Sequence, residues 1–361
     1  MEGMGDTIKP LGNKALFVSG GGSIKKNGIY DQVMGQLDEA GIEVIEYSGI
    51  KPNPLVDDVD KAAEMGRKEN VDFIIAVGGG SVIDSAKVMS VAIPQDGPAW
   101  ELVKGSVKAS SSLPLVAVLT LAATGTEMNM FAVVQNPETK EKLGFRNPLM
   151  YPKYSYLDPQ YTYSVSRDYT SWGITDLIAH CLEAYFGEGE ATLSDKFVYS
   201  IIREAREFGL PLLENLQDYD LRARMMYAAT SALNNLTAYG RKYGDWGVHS
   251  VGHILSVLYD VAHGASLSIV YPAWMKLHSD RIPGRIKELG KNLFGGHTVD
   301  DTIKGFEKLF AEIDSPVRLS QLEIPNIDHG LILKTMIDNK VGGNVYKLSP
   351  EDNQKLLELF K

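Results

Sequence analysis

Hydrophobic positions follow two different rhythms along the chain. Up to roughly residue 160, short β-rich runs alternate with stretches whose apolar residues recur at helical spacing. Ala15–Val18 leads into Gly20-Gly21-Gly22-Ser23, and a helical pattern runs from Ile29 to about Ala40. Ile42–Tyr47 alternates like a strand with one buried face, Leu55–Asn70 reads as a helix, and Phe73–Val77 is a continuous apolar run. That run ends in Gly78-Gly79-Gly80-Ser81, a helical pattern follows from Val82 to Val91, and Leu115–Thr120 is a further unbroken run. Strands apolar on both faces and separated by helices predict a parallel sheet covered on both sides.

After about Tyr169 the strand-like runs stop. Trp172–Phe186, Ser194–Leu213, Leu221–Tyr239 and Val248–Leu258 have helical spacing, as do 284–312 and 328–340 more faintly. The pattern predicts an α/β domain, residues 1–165, followed by an all-α domain, residues 166–361.

Composition narrows the function classes. The 361 residues, 44% hydrophobic and 23% charged, suit a globular protein with two cores. A net charge of −10 argues against nucleic acid or an anionic membrane as partner. The single cysteine, Cys181, excludes an intrachain disulfide framework and a cysteine-rich zinc site. MEGMGDTIKPLG carries acids and no apolar run, unlike a secretory signal, and the longest nearly apolar stretch, Leu113–Ala123, is too short to span a bilayer. The expectation is a reduced, cytoplasmic enzyme.

Candidate metal chemistry concentrates in the helical half. Asp176 and His180 are four apart, which on a helix places both on one face, a turn from each other. His249 and His253 repeat that spacing, and His263 follows, so four of the seven histidines fall between 180 and 263. Separate core or cap histidines are the plain alternative, but burying so many ionisable groups on apolar helices is costly unless a cation pairs with them. One carboxylate with imidazoles suits Fe²⁺ or Zn²⁺ better than Ca²⁺ or Mg²⁺. His278, His297 and His329 stand in polar surroundings and read as surface residues. Cys181 lies about 100° round the helix from His180 and reads as core.

Candidate phosphate sites lie in the first half. Gly78-Gly79-Gly80-Ser81 joins a buried strand to a helix, where bare backbone N–H groups and a helix N-terminus suit a pyrophosphate. It is not G-x-G-x-x-G, and Ser81 to Asp84 could instead be a capping box. Gly20-Gly21-Gly22-Ser23 is a second such turn. No carboxylate lies between Ser19 and Lys26, while Lys25 and Lys26 lie close by, which leans toward NADP(H) over NAD(H).

Taken in order, Gly20–Gly28, Lys51-Pro52-Asn53-Pro54, Gly78–Lys87, Ala123–Asn129, Asp158-Pro159 and the Asp176/His180/His249/His253/His263 set resemble the iron-containing (group III) alcohol dehydrogenase family, in its butanol dehydrogenase and NADPH-dependent aldehyde reductase branch. The likeness covers about residues 13 to 280 well and the remainder more weakly. It implies a Rossmann-like dinucleotide-binding domain and an all-α metal-binding domain with cofactor and metal in the cleft between them. It also implies that Asp176, His180, His249 and His263 are the metal ligands, with His253 near the nicotinamide. By the same resemblance, Gly21 and Ser23 lie at the adenosine end of the cofactor and Gly79, Gly80 and Ser81 at the pyrophosphate. Asn53, Asp84, Thr120, Thr124 and Lys142 match further positions on the cofactor path, although by itself Lys142 reads as a surface lysine of a hairpin. Thr126 stands where the family commonly has serine. Relatives usually carry an extra N-terminal hairpin that pairs across a dimer; the first strand here starts near Ala15, which puts the usual homodimer in question.

The expected chemistry is hydride transfer between NAD(P)H and a small aliphatic aldehyde or primary alcohol, with Fe²⁺ or Zn²⁺ polarising the carbonyl and His253 relaying a proton. Two alternatives share the architecture: a metal- and NAD-dependent lyase of the dehydroquinate-synthase type, and a non-catalytic nucleotide-binding relative. The lyase would need clustered Lys and Arg for an anionic substrate. Between residues 165 and 270 the basic residues gather mostly at 203–206, 222–224 and 241–242, away from the ligand segments.

Overall fold

The computed structural model describes all residues, Met1–Lys361, and divides into two compact units, Met1–Val165 and Ser166–Lys361.

In the first unit, β1 (Lys14–Ser19), β2 (Glu43–Ser48), β3 (Phe73–Gly78), β4 (Leu115–Leu119) and β7 (Tyr154–Tyr156) form a parallel sheet in the order β2-β1-β3-β4-β7. Every residue of β3 and β4 is buried, whereas the edge strand β2 has only exposed and half-buried positions. The unbroken apolar runs of the sequence are the fully buried strands, and the mixed run Ile42–Tyr47 is at the rim. Phe17, Phe73, Ile75, Val116 and Val118 of the sheet pack on Ile29, Val33 and Leu37 of the Ile29–Glu39 helix, forming one face of the core. A separate antiparallel hairpin, β5 (Phe131–Asn136) and β6 (Glu141–Arg146), pairs Gln135 with Lys142.

The second unit is helical throughout, its first five helices being Arg167–Tyr185, Thr192–Glu214, Tyr219–Leu233, Gly247–Tyr259 and His263–Leu277. The third of these stops six residues short of the expected Tyr239. Asn235 adopts a left-handed φ of 78°, and the Asn234 side chain accepts from Leu236 N at 3.1 Å, so local asparagine hydrogen bonding replaces the helix. The helices that carry His249 and His263 approach closely. A Cβ on Gly252 would come within 2.6 Å of Ser266 Oγ, and one on Gly264 within 2.1 Å of the Trp172 carbonyl oxygen on the Arg167–Tyr185 helix. No helix is long and apolar enough to cross a membrane.

Candidate metal centre and dinucleotide turns

The turn after β3 is shaped by close approach. A Cβ on Gly78 would lie 2.5 Å from Val82 Cγ2, and one on Gly80 2.8 Å from Thr124 Cγ2. The helix Gly80–Ala92 that follows has Gly79 as its N-cap and no side-chain cap. Its first N–H groups, at Gly80 and Ser81, precede any carbonyl of their own helix, an arrangement that suits a phosphate. The capping-box alternative is not realised. Asp84 turns away from the helix start and is buried, its carboxylate accepting from Thr126 Oγ1 at 2.6 Å and from Val133 N on β5 at 2.8 Å. The threonine at 126 thus keeps the hydroxyl a serine would offer. Thr124 Oγ1 accepts from Thr126 N at 3.3 Å, and Thr120 N donates to the Gly78 carbonyl at 3.0 Å.

After β1, Gly22 takes a left-handed φ of 101° and introduces the four-residue helix Ser23–Lys26. A Cβ on Gly21 would meet nothing within 4 Å. Lys142 departs from its reading as a surface residue. It is buried, and its ammonium donates to Asn53 Oδ1 at 2.8 Å, because Gln135 N binds the Pro54 carbonyl at 2.9 Å and draws the hairpin over the Lys51–Leu55 loop. Asn53 itself adopts a left-handed φ of 55°.

In the helical unit the candidate metal ligands converge on one oxygen. Asp176 Oδ1 lies 3.6 Å from His180 Nε2, 3.8 Å from His249 Nε2 and 3.7 Å from His263 Nε2. These separations are too long for hydrogen bonds. They approach the spacing of about 3.4 Å between donors that each stand about 2.1 Å from one tetrahedral ion. Donor atoms of Asp176, His180 and His249 all lie within 4.8 Å of one another, and all three residues are buried. His263 is half-buried at their edge, and the His253 ring stands 5.4 Å from its ring. Asp176 Oδ1 and His249 Nε2 are buried and make no hydrogen bond. An oxygen and a nitrogen so placed are costly as they stand, and a shared divalent cation satisfies both, so the donor set fits Fe²⁺ or Zn²⁺. Burial lowers His180 to about 4, leaving a neutral imidazole with a lone pair to give. Burial also disfavours a charged His249, but the Asp176 charge and the hydrogen bond and charge of Glu183 outweigh it and raise the ring to about 9, so a cation at Nε2 would take the place of a proton there.

Glu183 was not among the residues singled out in the sequence, although it lies one turn beyond His180 on the face that carries Asp176. Its Oε1 stands 2.8 Å from His249 Nδ1 and accepts from His249 N at 3.1 Å, while Oε2 accepts from Trp246 N at 2.5 Å. Trp246 has a left-handed φ of 64°, rare for an aromatic residue, at the start of the Gly247–Tyr259 helix, and its ring packs edge-on against His249 at 5.0 Å. Asp245 is buried and accepts from Val345 N at 3.0 Å and Tyr346 N at 2.8 Å. Burial and the nearby Glu183 charge raise it to about 7 against those backbone bonds. His278 is a correction of another kind. It is fully buried, its ring 4.3 Å from that of Trp274 and 5.3 Å from that of Tyr346. Its polar sequence neighbours belong to the helix end, while the ring itself turns into an aromatic cage.

A parallel α/β unit bearing two glycine turns, joined to a helical unit with a buried Asp and His cluster, has the architecture of a metal- and dinucleotide-dependent dehydrogenase. Comparison with known proteins gives the particular family. The profile described as iron-containing alcohol dehydrogenase matches residues 1–159, and that described as Fe-containing alcohol dehydrogenase family, C-terminal, matches residues 170–360. The chain is 38% identical to a probable NADH-dependent butanol dehydrogenase of Bacillus subtilis, covering 99% of this chain and 95% of the relative. It is 32% identical to the NADPH-dependent aldehyde reductase YqhD of Escherichia coli, over 91% of this chain and 86% of the relative. The crystal structure of an NADH-dependent butanol dehydrogenase A from Thermotoga maritima superposes with a TM-score of 0.95 at 39% identity, covering 99% of this chain and 94% of that one. The chain belongs to the iron-containing alcohol dehydrogenase family.

Proposed function

We propose that the protein is a metal-dependent alcohol dehydrogenase and aldehyde reductase, moving hydride between NAD(P)H and a small aliphatic aldehyde or primary alcohol. The observation that carries this reading is the single oxygen, Asp176 Oδ1, faced by the Nε2 atoms of three histidines at 3.6–3.8 Å in a chain of this family. Asp176, His180, His249 and His263 would hold Fe²⁺ or Zn²⁺. When bound, such an ion polarises a carbonyl and lowers the pKa of an alcohol, and the nicotinamide supplies or accepts the hydride. His253, whose ring neighbours His263, holds and passes the proton that the alcohol gains or loses. Glu183 and Trp246 keep the His249 ring in place.

Gly79, Gly80 and Ser81 offer backbone N–H groups to the pyrophosphate, and Gly21 and Ser23 border the adenosine end. Asn53, Thr120, Thr124 and Lys142 lie along the same path, and Asp84 braces the β5–β6 hairpin through Val133 N. For the choice of dinucleotide we favour NADPH. Lys25 is exposed beside the Gly20–Ser23 turn, its ammonium 4.4 Å from the centre of the Tyr30 ring and 3.7 Å from Glu46. A 2′-phosphate there would compete with Glu46 for that ammonium, so the preference is modest, in keeping with relatives named as NADH-dependent and as NADPH-dependent.

The arginines that the lyase alternative would draw on at 203–241 and at 285 are already engaged. Arg241 and Arg285 both bind Asp195, Arg224 pairs with Glu204, Arg222 bonds Thr170 Oγ1 and the Leu216 carbonyl, and Arg203 and Arg206 bond carbonyls of Asn292 and Leu293. The test is oxidation of NADPH and of NADH, followed by absorbance, with butanal and protein reloaded anaerobically with Fe²⁺ or Zn²⁺. Metal-dependent turnover is expected, faster per cofactor bound with NADPH. A preference for NADH overturns the argument from Lys25. Failure with a panel of aldehydes despite bound metal overturns the activity.

A further inference from the structure

Glu183 holds the segment that carries His249 by both of its oxygens. Oε1 meets the His249 ring at Nδ1, 2.8 Å away, and the backbone N–H of the same residue at 3.1 Å. Oε2 takes the N–H of Trp246, whose left-handed backbone starts the His249 helix. The carboxylate is almost wholly buried and sits one turn after His180 on the helix that also provides Asp176. An acceptor at Nδ1 fixes the imidazole as the Nδ1–H tautomer, so that the lone pair lies on Nε2, the atom that faces Asp176 Oδ1 at 3.8 Å.

We infer that Glu183 is the positioning residue of the metal site. It orients His249, fixes its tautomer, and anchors the start of its helix to the helix of Asp176 and His180. This rests on the reading of Asp176, His180 and His249 as ligands.

The experiment measures Zn²⁺ affinity by competition with a chromophoric chelator and records the visible spectrum of the Co²⁺-substituted protein. The full chain is used as wild type, Glu183→Ala, Glu183→Gln and His249→Ala. Glu183→Ala is expected to weaken Zn²⁺ about 10- to 100-fold and to shift the Co²⁺ bands. Glu183→Gln keeps an acceptor for Nδ1–H but loses the charge, so a smaller loss of about 10-fold, at the low end of that range, is expected. A bracing role alone would lower the melting temperature of metal-free protein and leave affinity and spectrum unchanged, and that result overturns the inference. If Glu183→Ala does not fold, Glu183→Gln decides: wild-type affinity and spectrum in it overturn the inference. His249→Ala separates the two ideas. If it keeps the ion, the ligand reading itself fails; if it loses the ion while both Glu183 variants bind normally, only the role of Glu183 fails.

Discussion

Asp176 Oδ1 stands 3.6 Å from His180 Nε2 across one turn of the same helix, and neither this contact nor any other gives that buried oxygen a hydrogen bond. A buried carboxylate oxygen without a donor costs stability that an ion repays. Removing metal with a chelator should therefore lower the unfolding temperature, and adding Fe²⁺ or Zn²⁺ back should restore it. With the ion about 1,000-fold above its Kd the linked stabilisation is about 4 kcal/mol. His180→Ala should abolish this response. Calorimetry of both proteins with and without metal checks it; an equal response in the variant removes His180 from the ligand set.

Much of the fold was legible because its signals are local. Unbroken apolar runs at Phe73–Val77 and Leu115–Thr120 became the inner strands β3 and β4, and helical spacing located most helices of the second unit. The shared face of Asp176 and His180 follows from a four-residue spacing alone. Glu183 continued that face and could have been noticed there. The short edge strand Tyr154–Tyr156 and the helix Pro350–Phe360 were not anticipated, although Ser349 and Asp352 form a capping box at the start of the latter. What was not legible depends on distant partners. Lys142 is buried because Asn53, 89 residues earlier, receives its ammonium, and His278 because Tyr346 of the C-terminal segment closes over it. Neither residue's own neighbours in sequence signal this.

The Lys142–Asn53 pair sets a second prediction. Lys142→Met keeps the apolar stem within the hairpin while removing the ammonium. If this lysine lies on the cofactor path, dinucleotide affinity falls about tenfold, the order expected for losing one charge-assisted hydrogen bond of about 1.5 kcal/mol. Binding is read by quenching or transfer of nicotinamide fluorescence. Metal content should stay at the wild-type value, since the residue belongs to the other unit. Unchanged affinity would make the lysine a structural brace of the Lys51–Leu55 loop.

Gly264 directly follows His263, and a Cβ there would stand 2.1 Å from the Trp172 carbonyl oxygen, a backbone atom that cannot swing aside. Gly264→Ala should push the His263–Leu277 helix away from the Arg167–Tyr185 helix, costing at least the ~1–3 kcal/mol typical of overpacking. His263 moves with its helix while Asp176 and His180 stay on theirs. Melting temperature and metal content should fall together. Metal content held at the wild-type value in a destabilised variant would show that His263 is dispensable for holding the ion.

The buried His278 sets an acid limit on stability. Burial, with a smaller contribution from the Arg281 charge and against that of Asp352, lowers its pKa from the ordinary 6.5 to about 4. Between those two values the unfolded chain takes up a proton that the folded protein refuses, so stability falls as pH drops through 6.5 toward 4. The full loss is of the order of 3 kcal/mol, since each pKa unit corresponds to about 1.4 kcal/mol. Asp352, held low by Arg281 despite its partial burial, stays ionised through most of this window and does not produce the same slope. His278→Phe keeps a ring between Trp274 and Tyr346 and removes the titrating group. Denaturant unfolding of metal-free protein at a series of pH values should show the variant gaining on the wild type as pH falls from 7 toward 4. The His180 contribution is common to both proteins and cancels in the difference. Parallel pH profiles would mean that the ring is protonated or hydrated inside its cage, and the acid limit would then belong to the other buried groups.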